Sequence, residues 1–240
     1  MSGYTISILR ADHLDARVET HDWPFARDNS ARIDAHWNKL CEQRPALYNG
    51  RVLPMRDWRI VNVGEQQTLQ SRHFETDFKA FIGWRDFGFA DTSVRNCFSM
   101  AALRSADGAF LLGEMGAHTS NAGKIYFPAG TPDPGDIRGE QLDLAGSALR
   151  ELEEETGIGA QDVHPSDGWS IVDAGPKLGC MKLVEACDSA EAIQARIHAF
   201  LAREEKPELA RMHVVRTRAD FDAARMPDFM IAWLDAMLPR

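Results

Sequence analysis

Strand-like and helix-like stretches alternate along the second half of the sequence, and this alternation limits the fold more than any other feature. Residues 97–103 and 109–114 have the pattern of a β-hairpin, with Asp107-Gly108 as its turn. Residues 189–204 instead repeat apolar side chains at helical spacing. Such a mixture predicts an α/β (α+β) fold in which helices pack on a mixed sheet.

The remaining patterns extend this interpretation to the whole chain. We expect strands at 5–9, 58–63, 124–127 and 212–216, strands within 169–186 that are interrupted at 175–176 and at 179, and helices at 28–43, 76–87, about 143–156 and 227–238. A loop rich in proline, glycine and aspartate is expected at 131–139. The aromatic residues of 76–87 fit a packed core better than a ligand cage.

Composition excludes several classes of protein. The 240 residues carry a formal net charge of −9, which argues against bulk nucleic-acid binding and against a basic membrane-surface helix. No apolar run approaches the roughly 20 residues that span a bilayer. The four cysteines form no CxxC pair, so we expect reduced thiols rather than a zinc site. A cytoplasmic location is therefore expected.

The most informative stretch is Arg150-Glu151-Leu152-Glu153-Glu154-Glu155-Thr156-Gly157-Ile158. On a helix, Glu151, Glu154 and Glu155 fall within an arc of about 100°. The opposite side carries residues that can face a core, namely Ala145, Leu149, Leu152 and Thr156. Gly157 is expected to end the helix in the left-handed conformation.

Three carboxylates on one face are unfavourable by themselves. Like charges at helical spacing repel, and the helix dipole disfavours anions at the carboxyl end. A hard divalent cation would relieve both effects, because Mg²⁺ is typically held by a few carboxylates together with substrate phosphates. The same pattern also fits an ordinary solvated acidic face, in which Arg150 pairs with a neighbouring acid.

The context of this helix favours the metal. Phe127-Pro128-Ala129-Gly130 follows a predicted strand, and the acidic helix comes after one loop. Here the sequence resembles the Nudix hydrolase superfamily, whose box reads G-x5-E-x7-R-E-U-x-E-E-x-G-U, with U a bulky apolar residue. The second half of that box is complete from Arg150 to Ile158, and Phe127–Gly130 resembles the family's passage from strand to loop.

The first half of the box departs from the family pattern. Gly130 and Arg150 are twenty positions apart here rather than fourteen, so the loop is six residues longer. Three residues compete for the place of the missing glutamate. Asp136 lies six positions after Gly130, Leu142 lies at the family's distance before Arg150, and Glu140 is the third candidate.

The resemblance also implies an organisation of the chain. Residues 96–240 would form a Nudix hydrolase domain, an α/β/α sandwich with a mixed sheet, and residues 1–95 an N-terminal α/β extension packed on that core. Residues 46–50 and 81–87 faintly resemble a branch of the family that cleaves UDP-sugars.

What the resemblance implies in function is metal-dependent hydrolysis of a nucleoside diphosphate linked to another moiety, possible substrates including nucleotide sugars. Roles carried over by position make Glu151, Glu154, Glu155 and the Ala129 carbonyl ligands of Mg²⁺ or Mn²⁺, with Arg150 holding Glu151 and Gly130 allowing close backbone approach. A further glutamate from a downstream loop would be Glu204, Glu205 or, as first choice, Glu208. Lys124, Arg138 and Lys177 are candidate phosphate contacts.

Two questions stay open at this level. Any of the acids can serve as the general base. The chain can also be a catalytically weak Nudix-fold module that binds a nucleotide or regulates a partner, because its loop is long and its extension large. The expected partner is a small nucleoside diphosphate derivative, and a homodimer is allowed.

Overall fold

The structure is a computed structural model that describes residues 4–45 and 47–239. Residues 1–3, 46 and 240 lie outside the described residues, so the predicted segment 46–50 is described from residue 47 onward. The strands are β1 (Ser7–Ala11), β2 (His13–Val18), β3 (Arg51–Val52), β4 (Met55–Val63), β5 (Gln66–His73), β6 (Thr76–Asp77), β7 (Asn96–Arg104), β8 (Phe110–Met115), β9 (Ile125–Tyr126), β10 (Ile137–Arg138), β11 (Gln141–Leu142), β12 (Val163–Pro165), β13 (Trp169–Ala174), β14 (Lys177–Ala186) and β15 (Leu209–Val215). The helices are α1 (Pro24–Asp28), α2 (Ser30–Gln43), α3 (Phe78–Asp86), α4 (Leu144–Thr156), α5 (Ala190–Leu201) and α6 (Asp228–Met237).

The central sheet has the strand order β1-β13-β14-β7-β8-β15, with β12 beside β14 and β9 beside β8. β7 and β14 are parallel, whereas the other neighbouring strands of this sheet are antiparallel. β7 is buried over nearly its whole length, as expected for a central strand covered on both faces. Helix α4 packs on β7 and β14, and α5 packs on β8 and β15. The predicted mixed α/β fold is confirmed.

A cluster of aromatic rings anchors the strand that leads to the acidic helix. The Trp233 ring of α6 lies 5.3 Å from that of Phe110 and 5.5 Å from that of Phe127, in edge-on contacts. All three side chains are buried. Edge-to-face pairs stabilise by about 0.5–1.5 kcal/mol beyond their area. The cluster therefore fixes the chain just before Pro128-Ala129-Gly130.

The N-terminal stretch and the core are joined through strand pairing. β1 pairs with β13 at the edge of the central sheet. Conversely, β10 and β11 of the expanded loop join a second sheet formed with strands of the N-terminal stretch. Its strand order is β10-β11-β2-β5-β4. The division of the chain at residue 95 stays a proposal. The residues before it contribute β1 to the central sheet, and the residues after it contribute β10 and β11 to the second sheet.

Helices α1 to α3 enclose an aromatic cluster of their own. Trp84 of α3 is fully buried, and its indole N–H donates to the Asp91 carbonyl at 2.8 Å. The indole N–H of Trp23 donates to the Asp91 carboxylate at 2.8 Å. Buried indoles need such partners. The aromatic residues of 76–87 thus form a packed core for the most part, as the periodicity predicts.

Most predicted elements are present within a few residues of their expected bounds. The strands β2, β3, β5, β10, β11 and β12 and the helix α1 were not predicted, and β6 takes the first two residues of the predicted helix 76–87. β5 reads QQTLQSRH, and its polar side chains hide the alternation, although Leu69, Ser71 and His73 are buried. Pairing with β2 and β4, and not apolar patterning, defines this strand. No helix among the described residues is long and apolar enough to cross a membrane.

The buried side chain of His73 leads to a prediction about the stability of the fold at acid pH. Its ring is fully buried, Nδ1 lies 3.1 Å from the Leu53 carbonyl, and Nε2 lies 3.0 Å from the Ser71 hydroxyl. Burial lowers the pKa of His73 to about 4. The unfolded chain therefore takes up a proton first as the pH falls through its usual value of about 6.5, and stability is lost between there and about pH 4. We expect the neutral burial of this histidine to lower the free energy of unfolding by about 3 kcal/mol between pH 6.5 and pH 4.

The measurement is urea unfolding of the wild type and His73→Gln at a series of pH values. Other groups titrate in the same range, so the difference between the two proteins is the relevant quantity. We expect the advantage of the wild type at neutral pH to shrink as the pH falls. A difference that does not change with pH would contradict the prediction.

Candidate active site

The acidic helix α4 is defined by caps at both ends. The Asp143 side chain accepts a hydrogen bond from the Gly146 N–H at 2.8 Å, a typical N-cap contact. Gly157 ends the helix with φ of 70°, and its N–H donates to the Glu153 carbonyl. A Cβ at Gly157 would lie 2.6 Å from the Phe200 ring, so any other residue would be both strained and crowded.

Gly130 lies directly against the carboxylate of Glu151. A Cβ at this position would be 2.3 Å from Glu151 Oε1, closer than any real contact. The preceding Ala129 N–H points to Glu155 Oε1 at 3.4 Å. The strand-to-loop segment thus lies directly against the Glu151 carboxylate, and a side chain at position 130 would displace that carboxylate.

Arg150 connects the helix to the expanded loop. Its guanidinium lies 2.9 Å from Asp136 Oδ1, 2.9 Å from Glu151 Oε1 and 3.1 Å from Glu154 Oε2. The Asp136 carboxylate is buried and also accepts the Asp133 N–H at 3.1 Å. Arg150 therefore links the Glu151 carboxylate of the helix to the Asp136 carboxylate of the loop.

The three competing residues of the first half of the box lie in different surroundings. Asp136 occupies the position beside Arg150. Leu142 is buried in an apolar cluster with Leu53, Met55 and Leu69. Glu140 is exposed. Of the three, Asp136 is thus the one in contact with Arg150, and β10, β11 and their turn follow it.

The three helix carboxylates differ in burial, which corrects the expected single open face. Glu155 is only 4% exposed, on the same side as Leu144, Ala148 and Leu152, whereas the Glu154 side chain is 60% exposed. Ala145, predicted to face a core, is exposed. The reason is that the packed arc of the helix is centred on Glu155, so this acid is drawn into the interior with its apolar neighbours.

Burial changes the ionisation of two acids. It raises the pKa of Glu155 to about 8, and the charges of Glu208 and Glu151 act in the same direction. It also raises the pKa of Glu151 to about 7, against the opposing effect of Arg150. Glu155 Oε2 is buried and has no hydrogen-bond partner among the described residues. A buried carboxylate of this kind is costly without a cation.

Glu208 lies near the same acids. It precedes β15, and its carbonyl accepts the Gly116 N–H at 2.7 Å. Its charge contributes to the raised pKa of both Glu151 and Glu155. Neither Glu204 nor Glu205 is among the groups that shift these two carboxyls. Of the three downstream glutamates, Glu208 is the one whose charge raises the pKa of both helix acids.

The oxygen donors suit a hard divalent cation by their chemistry. Among residues 4–45 and 47–239, however, no three carboxylate, histidine or cysteine side chains are gathered closely enough to hold a metal ion. The unpartnered Glu155 Oε2 and the cradle at Gly130 are the features that fit a cation. The oxygen donors are thus of the chemical type that a divalent cation prefers, but they do not converge on a single coordination point.

A cavity of about 410 Å³ opens beside this segment. Ala129 and Gly130 form part of its lining, and helix α3 of the N-terminal stretch forms another wall. Lys124 lies in the lining, and its amino group donates to the Ala224 carbonyl at 3.3 Å. Arg138 is not part of the lining; it donates to the Gly135 carbonyl at 2.7 Å within its own loop.

Sequence reasoning missed most residues of this cavity, and one of them carries a positive charge. Arg85, from α3, lines it together with Lys177. Lys177 was a candidate phosphate contact, but Arg85 was seen only as part of a faintly family-like segment. Its place at the cavity depends on how the N-terminal stretch packs, and no local pattern carries that information.

Comparison with known proteins gives the following findings. No protein-family model matches the chain, and no curated protein matches it. The solved structures that are similar to it include the MutT protein of Methanosarcina mazei Go1 (20% identity, TM-score 0.39), a Nudix hydrolase of Nitrosomonas europaea (18%, 0.39) and the Nudix hydrolase RenU of M. smegmatis (14%, 0.35). They cover 60%, 59% and 60% of this chain and 92%, 86% and 86% of their own.

These TM-scores are below 0.5, so the likeness assigns no residue and no activity. The roles discussed above rest on the motif and on the geometry of α4. In its acidic helix and in its structural neighbours, the chain is similar to Nudix hydrolases.

Proposed function

We propose that this chain is a metal-dependent hydrolase that cleaves the diphosphate bond of a nucleoside diphosphate linked to another moiety, by attack of water on phosphorus. The observation that carries the proposal is the pair Glu151 and Glu155. Both carboxyls are removed from water and lie against the backbone of Ala129 and Gly130 at the edge of a cavity. A protein has little reason to bury such repelling acids unless a cation neutralises them.

The residues that would hold Mg²⁺ or Mn²⁺ are Glu151, Glu154, Glu155 and the Ala129 carbonyl. The metal, when bound, would neutralise the diphosphate and acidify a water molecule. Arg150 keeps the Glu151 carboxylate in position through its contacts at 2.9 Å to Glu151 and to Asp136. The cavity beside Gly130 would receive the organic part of the substrate and exclude water from it.

Any of the clustered acids can accept the proton of the attacking water. The charge of Glu208 raises the pKa of both Glu151 and Glu155, and the charge of Glu151 also raises the pKa of Glu155. A nucleotide-sugar substrate, a cytoplasmic location and a homodimer stay predictions.

The test is a hydrolysis screen with added Mg²⁺ or Mn²⁺ against nucleotide sugars, dinucleotides, coenzyme A and nucleoside triphosphates. We expect the double variant Glu154→Gln, Glu155→Gln to lose activity by about a hundredfold or more, because it removes ligands from the metal. Glu153→Gln is the matched control, since this exposed glutamate lies between the others on the same helix.

Two outcomes would overturn the proposal. Activity that survives the double variant would remove the acids from the mechanism. Tight binding of a nucleotide without turnover across the whole panel would instead favour the catalytically weak binding module.

A further inference from the structure

Three cationic side chains from distant parts of the chain meet in the cavity. Arg85 comes from α3, Lys124 from the turn before β9, and Lys177 from the first position of β14. Like charges repel when they are brought together in a partly dry space. Such an arrangement is stabilised when an anion occupies the space between them.

Lys177 is the most confined of the three. It is half-buried, and its amino group lies 5.8 Å from the centroid of the Phe229 ring. The carboxylate of Asp228, which lines the same cavity, is near enough to raise the pKa of Lys177. Burial, Arg85 and Lys124 all lower that pKa. An ammonium group in this setting gains more from an anionic ligand than a solvated one does.

Arg85 is held in place from one side only. Its Nε donates to Asp86 Oδ1 at 2.8 Å, and Asp86 Oδ2 in turn lies 2.8 Å from His36 Nε2. Neither Nη of Arg85 makes a hydrogen bond to another residue in the described part of the chain. A guanidinium fixed at Nε still offers N–H donors in a planar fork, the geometry that suits a phosphate.

The same cavity joins these cations to the acidic helix. Its lining includes Gly130, which lies against Glu151, and the aromatic side chains of Phe81 and Phe98. Asn96 also lines it, and its buried Oδ1 has no hydrogen-bond partner among the described residues. A ligand there can therefore place a ring on the apolar wall and an anion on the cations, in the cavity whose lining includes Gly130.

We propose that Arg85 and Lys177, with Lys124 beside them, bind a phosphate group of the nucleotide substrate. Residues 1–95 would then supply part of the substrate site, since Arg85 belongs to them. This inference rests on the proposed function, because it assigns the substrate's phosphate to residues of the same site. It concerns binding by the protein itself and needs no metal.

The experiment is calorimetric titration of the full chain with ADP, UDP and inorganic pyrophosphate, in EDTA and at low salt. We expect the wild type to bind at least one of them. Arg85→Gln and Lys177→Gln should each weaken that binding about tenfold or more, because each removes a charged hydrogen-bond donor. Arg85→Lys, which keeps the charge without the fork, should retain part of the affinity.

Lys182→Gln is the matched control. Lys182 lies on β14 like Lys177, is also half-buried, and has its amino group 4.9 Å from the Trp169 ring, but it is outside the cavity. We expect its replacement to leave the affinity unchanged. Thermal unfolding of each variant shows whether a loss of binding reflects a loss of fold, and a variant that does not fold is replaced by Arg85→Lys or Lys177→Met.

Unchanged affinity in both glutamine variants would overturn the inference, as would failure of all three probes to bind at millimolar concentration. The proposed function fails in a different way. If charge-dependent binding is found but no compound is hydrolysed with metal present, the anion site stands and the hydrolase does not. Where turnover is found, Arg85→Gln should raise KM more than it lowers kcat.

Discussion

Replacing Glu155 with glutamine is expected to stabilise the metal-free protein while removing its hydrolytic activity. The Glu155 carboxyl is 4% exposed, and burial raises its pKa to about 8. The unfolded chain releases the proton near pH 4.5, so between these two values it holds fewer protons than the folded chain. The free energy of unfolding therefore falls as the pH rises through this window.

A glutamine at position 155 does not titrate, so the free energy of unfolding of the variant does not fall in this way as the pH rises. After allowance for an amide that is buried without a full set of partners, we expect a gain of about 2 kcal/mol near pH 8 and little or none near pH 4.5. Activity should fall by about a hundredfold or more, because the same carboxylate is assigned to the metal.

The measurement is urea unfolding in EDTA at several pH values, followed by the same series with Mg²⁺ or Mn²⁺. The metal should stabilise the wild type, because it binds the folded state alone, and should have a smaller effect on the variant. Glu153→Gln, on the exposed side of α4, should match the wild type throughout. A variant that is less stable by the same amount at every pH would show that Glu155 is a structural acid.

The contrast between Glu155 and Gly157 shows which features of the site can be predicted from sequence. The end of the helix is a local matter: a glycine after an acidic run predicts a left-handed cap, and φ of Gly157 is 70°. The burial of Glu155 is not local. A charged residue is ordinarily assigned to the solvent side, yet the packed face formed by Leu144, Ala148 and Leu152 is centred on it.

The expanded loop shows a second limit. Counting positions leaves Asp136, Glu140 and Leu142 as alternatives, because an insertion can lie on either side of the acid. The choice is made by tertiary structure. β11 pairs with β2 of the N-terminal stretch, and the Asp143 N–H donates to the Asp136 carbonyl at 2.9 Å. These contacts close the loop and bring Asp136 beside Arg150.

The aromatic helix α3 shows the same limit from the other direction. Its apolar periodicity predicts a packed helix, and Phe81, Ile82 and Trp84 are buried. The periodicity does not say that the helix also lines a cavity beside α4, some sixty residues further along the chain. The substrate-facing role proposed for Arg85 therefore depends on packing between segments that share no motif.

The ion pair between Asp136 and Arg150 is where we expect the largest loss of stability. The Asp136 carboxylate is 3% exposed, and the Arg150 side chain is 40% exposed. Removing one partner of a fully buried pair costs about 3–5 kcal/mol, and the partial exposure of Arg150 lowers the value expected for Asp136→Ala to about 2–3 kcal/mol. Because Arg150 also holds Glu151, activity should fall about tenfold or more in the protein that remains folded.

Two companion variants make this prediction specific. Glu140→Gln, at the exposed alternative position, should change neither stability nor activity. A double-mutant cycle of Asp136→Ala with Arg150→Met should give a coupling energy above about 1 kcal/mol, because the two side chains share the contact at 2.9 Å. Additive effects in that cycle, or an equal loss in Glu140→Gln, would mean that the expanded loop supports the metal helix through its backbone and not through the aspartate.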